Sequence, residues 1–501
     1  MSFEIRGRQL ARNTAFNLIG QGVPLIVGVV TIPPIVRGLG TERFGLLSLV
    51  WVIFGYFTIF DLGLSRATTK FVAEALGKGD RNQLSKLVWT AASVQGLLAI
   101  LAVVVLIAIT PLVVERILNI PTALIEEATA TFYVLAGAVP VVMVAGSFSG
   151  VLEARQRFDL VNAVRIPSGI LAFILPLVGI ASGLSLTGIV ALIVISRVLA
   201  LLALVAFALR LIPSPRVVSP SLAIFPRLLS YGGWITISNI VTLFLRHFNR
   251  FVIGTLLSLT AVAYYSAPAD ILLRLWIIPS SLVLTLFPAF SALIGAGQLE
   301  RRQELFVRSV KYLIVSAAPL VFLLVVFAEA ILGLWLGQEF AQNSALVFQI
   351  LALGTLVTIP AFVPLSVTQA SGRADIIAKF YLVFAPISVV LDWQFVTRLG
   401  LQGAALSFGL KSLIDTSALF MIGLWVIRMP ANLFARRILP AAAVVTVMGL
   451  LIGLGASMGM PLFPQVVLNF AMIAVFAVST WYLILGEDDR IAIRSMLGMR
   501  Q

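Results

Sequence analysis

The sequence predicts an all-α polytopic membrane protein with 14 transmembrane helices: two six-helix lobes followed by two further helices. The first observation is composition, since 60% of the 501 residues are hydrophobic and 11% are charged, whereas soluble domains have about 45–50% apolar and 25% charged residues. The second is a series of long apolar segments, and the third is the uneven placement of Lys and Arg between them. Because lipid cannot hydrogen-bond the backbone, segments of this length are expected to be helices.

The apolar segments each have the length of about 20 residues that the hydrocarbon core of a bilayer requires. They lie at 13–36, 43–63, 86–110, 128–152, 160–182, 187–209, 231–257, 261–290, 309–330, 344–366, 376–396, 401–427, 438–457 and 464–485. The first of them follows a polar N-terminal stretch and is already long enough to span. We therefore expect no cleavable signal peptide.

The positive charges indicate how these segments are oriented. The net charge is +14, with 35 Lys and Arg. With the N-terminus placed in the cytoplasm, 26 of these residues fall in inside loops or termini, 4 in outside loops and 5 within spans. Such an excess in cytoplasmic loops is the normal pattern of multi-pass proteins. We therefore expect both termini in the cytoplasm and attribute the basic charge to topology, with no nucleic acid as a partner.

Three pairs of short motifs recur in the same order along the chain, which indicates an internal repeat. The pairs begin or end at Phe71 and Phe290, Val151 and Val367, and Gly188 and Gly403, with offsets of 219, 216 and 215 residues. Nearly constant offsets favour duplication of a six-helix unit. Since six is even, both copies would begin on the same side of the membrane, as in parallel transporter repeats.

These repeats predict the domain organisation. We expect an N-lobe at 1–215, a C-lobe at 216–430, helices thirteen and fourteen at 431–485 and a cytoplasmic tail at 486–501. For the tail, an amphipathic helix on the inner leaflet and a solvated segment both remain open. Two parallel lobes are typical of a transporter that alternates access to a central cavity. A channel or an enzyme fits this pattern less well.

The seventh span carries a polar stripe on one helical face. Its members are spaced 3, 4, 3 and 1 residues apart and are Asn239, Thr242, Arg246, Asn249 and Arg250. A charge at mid-span costs about 2.5–3.5 kcal/mol on insertion scales, so it usually faces protein or water. We interpret the stripe as the wall of a substrate cavity. The alternative for Arg250 is that its side chain extends to the outer headgroups, and His247 is expected to satisfy a neighbouring helix.

Two pairs of opposite charge lie at spacing i, i+4 in other spans, Asp270 with Arg274 and Lys411 with Asp415. Such pairs can neutralise each other. The alternative is that Arg274 and Lys411 bind substrate while Asp270 and Asp415 take part in ion coupling. Arg197, in the sixth span, has no acid within one helical turn, and we predict that it also binds substrate.

The first half contributes mainly neutral polarity. Asn13, Asn17 and Gln21 lie at i, i+4 and i+8 on the first span, and we take Asn17 and Gln21 as substrate-binding candidates. Asp61 ends the second span near Arg66. It is either a surface ion pair with that arginine or a third candidate for ion coupling.

Several classes of site are absent from the sequence. It has no cysteine and one histidine, which argues against disulfides and against metal or haem sites. No phosphate-binding G-x-x-x-x-G-K-[ST] motif occurs, so we expect no ATP hydrolysis by this chain. We predict a non-enzymatic protein without a cofactor. The unpaired intramembrane charges are arginines, which match phosphate groups and remain charged, so an anionic cargo such as a pyrophosphate fits best.

The residues carry a family resemblance. The segments "RGLGTERFGLLSL", "DLGLSRATTKFVAEALGKGD", "NRFVIGTLLSLTAVAYYSAPADIL" and "LGLQGAALS" resemble polysaccharide and O-antigen flippases of the multidrug/oligosaccharidyl-lipid/polysaccharide (MOP) exporter superfamily. The resemblance implies a MATE-like fold that moves an undecaprenyl-pyrophosphate-linked oligosaccharide between the leaflets of the bacterial inner membrane. It also implies proton or sodium coupling in some members, with a polymerase and a chain-length regulator as partners.

Three departures from the superfamily patterns bear on the cargo. Asn249 stands where the family commonly has Asp, which removes an acid that could carry a proton. The first span lacks the arginines of lipid II flippases and the acid of many drug exporters. The predicted function is therefore a flippase for a lipid-linked polysaccharide unit. An ion-coupled small-molecule or drug antiporter, a lipid II flippase and a non-transporting scaffold are the alternatives.

Overall fold

The computed structural model describes residues 7–117, 120–211, 220–221, 223–457, 462–484 and 490, and these contain helices and turns but no strand. The predicted all-α class is confirmed. The tail predicted at 486–501 lies, apart from residue 490, outside the described residues.

Sixteen α-helices make up the described part of the chain. They are α1 (Gly7–Phe60), α2 (Leu64–Lys78), α3 (Arg81–Leu112), α4 (Ile125–Ala154), α5 (Phe158–Ala181), α6 (Leu186–Leu211), α7 (Phe225–Leu256), α8 (Leu259–Arg274), α9 (Ile277–Gly295), α10 (Leu299–Val326), α11 (Ala328–Leu336), α12 (Gln338–Thr358), α13 (Phe362–Ala370), α14 (Ala374–Val426), α15 (Ala431–Ser457) and α16 (Leu462–Ser479). Short 3-10 turns (Thr122–Leu124 and Ile359–Ala361) and π-helical turns (Val113–Ile117 and Thr480–Ile484) connect or extend them.

Each of the two longest helical stretches, α1 and α14, is a pair of helices joined at a glycine. The backbone φ is 78° at Gly40 within α1 and 61° at Gly400 within α14. Positive φ is nearly free of steric cost for glycine alone, so one residue can end one helix and start the next. The break at Gly400 turns the chain between the predicted spans 376–396 and 401–427, and this brings their side chains together.

Eleven stretches among the described residues are long and apolar enough to cross a membrane. One of them, Ala374–Val426, covers two of the predicted spans. The chain is therefore a multi-pass membrane protein. The count of 14 helices stays a prediction, because those two spans form one stretch and two other expected segments are not found as spans of sufficient length: 43–63, and 464–485, where the apolar stretch is Ala471–Tyr482.

The described helices fall into two compact units. The first contains Arg12–Ile237 with Ser291–Ala296, and the second contains Ser238–Phe290 and the chain from Gly297 onward. The lobe boundaries predicted at 215 and 430 stay predictions.

In the first unit, α4 packs against α3, α2 and α6, and α5 lies against α6. The core between α1, α4 and α6 is built from fully buried aliphatic side chains such as Ile35, Leu47, Val139 and Ile193. Because lipid is itself apolar, close packing rather than hydrophobicity holds such helices together.

Within this unit, α2 and the last turn of α9 cross at two glycines. A Cβ added at Gly77 would collide with the backbone oxygen of Ala292, and one added at Gly295 would collide with that of Glu74. These glycines belong to the two Gly-x-Gly motifs of the sequence repeat. Small residues allow backbones in membranes to approach closely, and the reciprocal contact is the one expected of two equivalent segments.

In the second unit, α12 is the central helix and contacts α8, α10, α11 and α14. Its core includes Val252, Phe348, Val396 and Ala404. The helices α15 and α16 pack on α10 through a smaller cluster that contains Phe322, Met448 and Phe476. These two helices have no counterpart in the first half of the predicted repeat.

Candidate functional site

A cavity of about 350 Å³ lies within the second unit and is lined by α7, α8, α12, α13 and α14. Every member of the polar stripe predicted on the seventh span lines it: Asn239, Thr242, Arg246, Asn249 and Arg250. The spacing of these residues therefore identified one side of a real cavity. Whether they bind substrate stays a prediction.

A buried ion pair on α14 borders this cavity. The Lys411 ammonium lies 2.6 Å from Oδ1 of Asp392 and donates at 2.7 Å to its Oδ2. The two residues are 19 positions apart and meet because α14 folds back at Gly400. The relative exposure is 1% for Asp392 and 8% for Lys411. Removing one partner from such a pair would leave a charge uncompensated in a low dielectric.

Neutral side chains complete the coordination of this pair. The Ser407 hydroxyl donates to Oδ1 of Asp392 at 2.6 Å, and Lys411 also donates to Oδ1 of Asn249 at 2.9 Å. The amide of Asn249 in turn donates to the Tyr265 hydroxyl at 2.9 Å. The network joins both arms of α14 to α7 and α8. Asn249 is thus an amide that accepts from one neighbour and donates to another.

The sequence-based pairing of Lys411 with Asp415 is wrong, because the ammonium reaches Asp392 on the other arm of α14. Asp415 lines the cavity instead, close to the Tyr381 hydroxyl. Its Oδ1 is buried and has no hydrogen-bond partner in the described part of the chain. Asp415 is thus an acid with unused acceptor capacity at the cavity wall.

The second predicted pair, Asp270 with Arg274, is also wrong. Oδ1 of Asp270 lies 2.5 Å from a terminal guanidinium nitrogen of Arg250, so α8 supplies a counter-ion to α7. Arg250 therefore does not extend alone toward the headgroups. Arg274, the last residue of α8, is exposed and lies outside the cavity lining.

Arg246 differs from the other cations that line the cavity. Its guanidinium carbon lies 4.7 Å from the centre of the Trp276 ring, within the range of a cation–π contact. None of the described carboxylates forms an ion pair with it. Lys411 and Arg250 are each held by an aspartate. Arg246 therefore presents an uncompensated charge to the cavity.

The predicted residues of the first span lie in the other unit. Asn13 donates to the side-chain oxygen of Gln156 at 3.0 Å, and Asn17 accepts from Asn162 at 2.9 Å. Both asparagines are fully buried. The structure thus places Asn17 in a contact between α1 and α5, and Gln21 belongs to the same unit.

The sequence left two interpretations of Asp61 open, and the first, a surface ion pair with Arg66, is wrong. Asp61 is buried, accepts from the Gln95 side chain, and accepts from the Ser65 backbone N–H at 2.9 Å. The Ser147 hydroxyl donates to Gln95 at 2.5 Å. All partners of Asp61 in this network are neutral, so it remains a candidate for ion coupling.

Sequence reasoning missed three residues that shape the cavity and its border: Asp392, Trp276 and Tyr381. Asp392 could have been found, since it is an acid inside the predicted span 376–396. Trp276 and Tyr381 carried no separate signal, because aromatic residues are common in transmembrane helices. Arg197 lies in the first unit, where it donates to the Ser168 hydroxyl at 3.1 Å.

The chain is similar to several known proteins. A family model described as polysaccharide biosynthesis protein matches residues 10–294, more than half of the chain. A second model, MatE, matches residues 235–394. A Shigella flexneri protein named "Putative O-antigen transporter" is 26% identical over 406 residues, 81% of this chain and 96% of that protein. The uncharacterized membrane protein EpsK of Bacillus subtilis is 25% identical over 423 residues, 81% of each chain.

Solved structures share the fold. An outward-facing multidrug resistance MATE family transporter of the MOP superfamily superimposes with a TM-score of 0.72 at 17% identity, covering 84% of this chain and 95% of that one. A MOP superfamily transporter from Pyrococcus furiosus gives 0.72 at 16% identity with the same coverage. The predicted resemblance is confirmed. The chain has the fold of MOP superfamily transporters and belongs to the polysaccharide biosynthesis protein family.

Proposed function

We propose that this protein is a flippase that moves an undecaprenyl-pyrophosphate-linked oligosaccharide from the inner to the outer leaflet of the bacterial inner membrane. It works by alternating access, with both termini in the cytoplasm, and it needs no cofactor and makes or breaks no covalent bond. A polymerase and a chain-length regulator for the same polysaccharide are its proposed partners. The Shigella flexneri relative and the family model support a polysaccharide-related cargo.

The observation that carries the proposal is the uncompensated guanidinium of Arg246 in the cavity. A guanidinium offers several N–H donors in a planar fork and matches the oxygens of a pyrophosphate. Inside a membrane such a charge needs a partner. An anionic cargo supplies one, whereas a cationic drug would add a second positive charge beside the first.

The remaining lining suits a sugar attached to that pyrophosphate. Trp276, Phe362 and Phe384 contribute aromatic faces, and Thr358 and Ser388 contribute hydroxyl groups. Ligand sites commonly combine apolar walls with a few placed polar groups. The apolar faces of sugar rings would pack on the aromatic residues while their hydroxyls bond to the polar ones.

The other predicted substrate residues divide by location. Asn239, Asn249, Arg250 and Lys411 line the cavity, and we assign them supporting contacts with the cargo. Four others lie outside the cavity lining, and their contact with the cargo stays a prediction: Arg274, Arg197, Asn17 and Gln21.

Among the three coupling candidates, Asp415 is best placed to exchange a proton or a sodium ion with the cavity. Asp270 is held by Arg250, and Asp61 belongs to a neutral network in the other unit. Asp415 has a free carboxylate oxygen at the cavity wall. A cation bound there would reduce the negative charge near the cargo and would therefore favour binding of the pyrophosphate.

An ion-coupled small-molecule or drug antiporter is the alternative, and the carboxylate of Asp415 in the cavity is the observation that favours it. That function predicts drug resistance on overexpression and an unchanged surface polysaccharide. A lipid II flippase would instead show its defect in peptidoglycan.

The role of Arg246 is tested by replacing it with Ala and with Lys. We expect Arg246→Ala to lower export of surface polysaccharide at least about tenfold, because charge-assisted hydrogen bonds contribute about 1.5–3 kcal/mol each. Arg246→Lys should recover part of the export, since Lys keeps the charge but not the planar fork. Surface polysaccharide is measured at matched protein levels, with Arg398→Ala, an exposed arginine of the same unit, as the control. Export at the wild-type level in Arg246→Ala would contradict the assignment.

The Lys411–Asp392 pair is tested by a double-mutant cycle. We expect Asp392→Asn and Lys411→Met to destabilise the protein by about 3–5 kcal/mol each, since each leaves a buried charge unpaired. The combination Asp392→Asn/Lys411→Met should lose much less than the sum, because no charge remains. Thermal unfolding of the purified protein in detergent reports the effect. Additive losses of stability would show that Lys411 and Asp392 do not stabilise each other.

Ion coupling at Asp415 is tested with an imposed ion gradient. In vesicles that contain the protein, Asp415→Asn should make translocation of the lipid-linked oligosaccharide insensitive to a proton or sodium gradient that accelerates the wild type. Asp270→Asn serves as the comparison and should retain the response. Equal stimulation of wild type and Asp415→Asn would remove Asp415 from the coupling mechanism.

A further inference from the structure

A second cavity, of about 270 Å³, lies in the first unit between α4, α5 and α6. It contains the guanidinium of Arg197 and, on α5, that of Arg165. Every residue that lines it belongs to the first unit, and none lines the cavity around Arg246. It is a cavity separate from the one to which the proposed function assigns the pyrophosphate, and Arg197 is the one predicted substrate residue among its lining residues.

Arg197 lies deep along its helix and faces the protein. It is about 16 Å from the start of α6 and about 21 Å from the end, at 1.5 Å per residue. The exposed side of the helix carries Ile195, Leu199 and Leu202. A charge at this depth that turns away from lipid marks a functional position by default.

The charge of Arg197 is only partly satisfied. One terminal nitrogen donates to the Ser168 hydroxyl at 3.1 Å, and the guanidinium carbon lies 5.7 Å from the centre of the Phe54 ring. Its Nε is buried without a hydrogen-bond partner. No carboxylate in the described ranges forms an ion pair with it. Two neutral contacts therefore hold a full positive charge.

The second guanidinium of the cavity, that of Arg165, is already paired with an acid. Arg165 lies 3.2 Å from Oε1 of Glu153, a carboxylate that also accepts from Ser149 at 3.4 Å. Glu153 thus neutralises Arg165 but not Arg197, and the cavity keeps the positive charge of Arg197 as a surplus. Oxyanions are the ligands that paired guanidinium groups bind best, through parallel charge-assisted hydrogen bonds.

Apart from Ser149 and Ser168, the rest of the lining is apolar. It consists of small and branched aliphatic residues, Val141, Val142, Ala145, Val161, Val164, Ala200 and Leu204. A cavity with an oxyanion-binding end and aliphatic walls suits an amphiphilic molecule whose charged group meets the arginines while its hydrocarbon part packs against the valines.

We propose that this cavity is a binding site for a phosphate oxyanion, held by Arg197 with Arg165 and Ser168, and that the apolar wall receives an attached acyl chain. The ligand chemistry is that of an anionic phospholipid. Free phosphate shares the oxyanion but not the chain, so the two sources are distinguishable.

The test uses the delipidated full chain in detergent and native mass spectrometry with phosphatidylglycerol or phosphatidylcholine. We expect the wild type to bind phosphatidylglycerol in preference. Arg197→Gln should lower that affinity at least about tenfold, and Arg210→Gln, an exposed arginine of the same helix, should leave it unchanged. Arg246→Gln should also leave it unchanged, which separates failure of this site from failure of the proposed transport function.

A second arm identifies the source of the oxyanion. Ala200→Phe fills the apolar part and should weaken phosphatidylglycerol binding while preserving stabilisation by inorganic phosphate in a thermal shift assay. Stabilisation by phosphate without any lipid preference would assign the site to free phosphate. If Arg197→Gln does not fold, Arg197→Lys and Ala200→Phe take its place, and both should bind phosphatidylglycerol more weakly. Wild-type affinity in these variants, or an equal loss in Arg210→Gln, would overturn the proposal.

Discussion

The buried ion pair between Lys411 and Asp392 is the interaction on which the cavity of the second unit depends. It forms because α14 reverses at Gly400, and it extends through Asn249 to Tyr265. One charged contact thus fixes two arms of a helical hairpin and two neighbouring helices around a polar space. In a medium without water, an unpaired member of this network would be far more costly than on a soluble surface.

The same constraint explains how charge is distributed over the cavity. Lys411 and Arg250 each have an aspartate partner, and these partners come from a different helix or helix arm. Among the described residues, Arg246 has the face of Trp276 beside it and no carboxylate partner. The fold therefore neutralises two of the cations that line the cavity and leaves the guanidinium of Arg246 without a carboxylate partner among the described residues. We propose an anionic lipid-linked cargo as the partner of this guanidinium.

Sequence periodicity predicted which face of α7 lines the cavity, but it did not predict the partners of the charged residues. The spacing from Asn239 to Arg250 identified one helical face, and all five stripe residues line the cavity. The partners of the charged residues were wrong, since helical spacing reports neighbours within a helix but not which helices meet. Asp392 reaches Lys411 only because Gly400 reverses the chain, and a contact between residues 19 positions apart has no signature in the period of either arm. Trp276 was missed because its role arises from its position over Arg246.

The central claim, that this protein translocates a lipid-linked oligosaccharide, is tested most directly by extracting lipids from cells that lack it. The account predicts that the undecaprenyl-pyrophosphate-linked repeat unit accumulates, that it resides in the inner leaflet, and that the wild-type protein restores surface polysaccharide. Unchanged surface polysaccharide, with no accumulation of the lipid-linked intermediate, would contradict it.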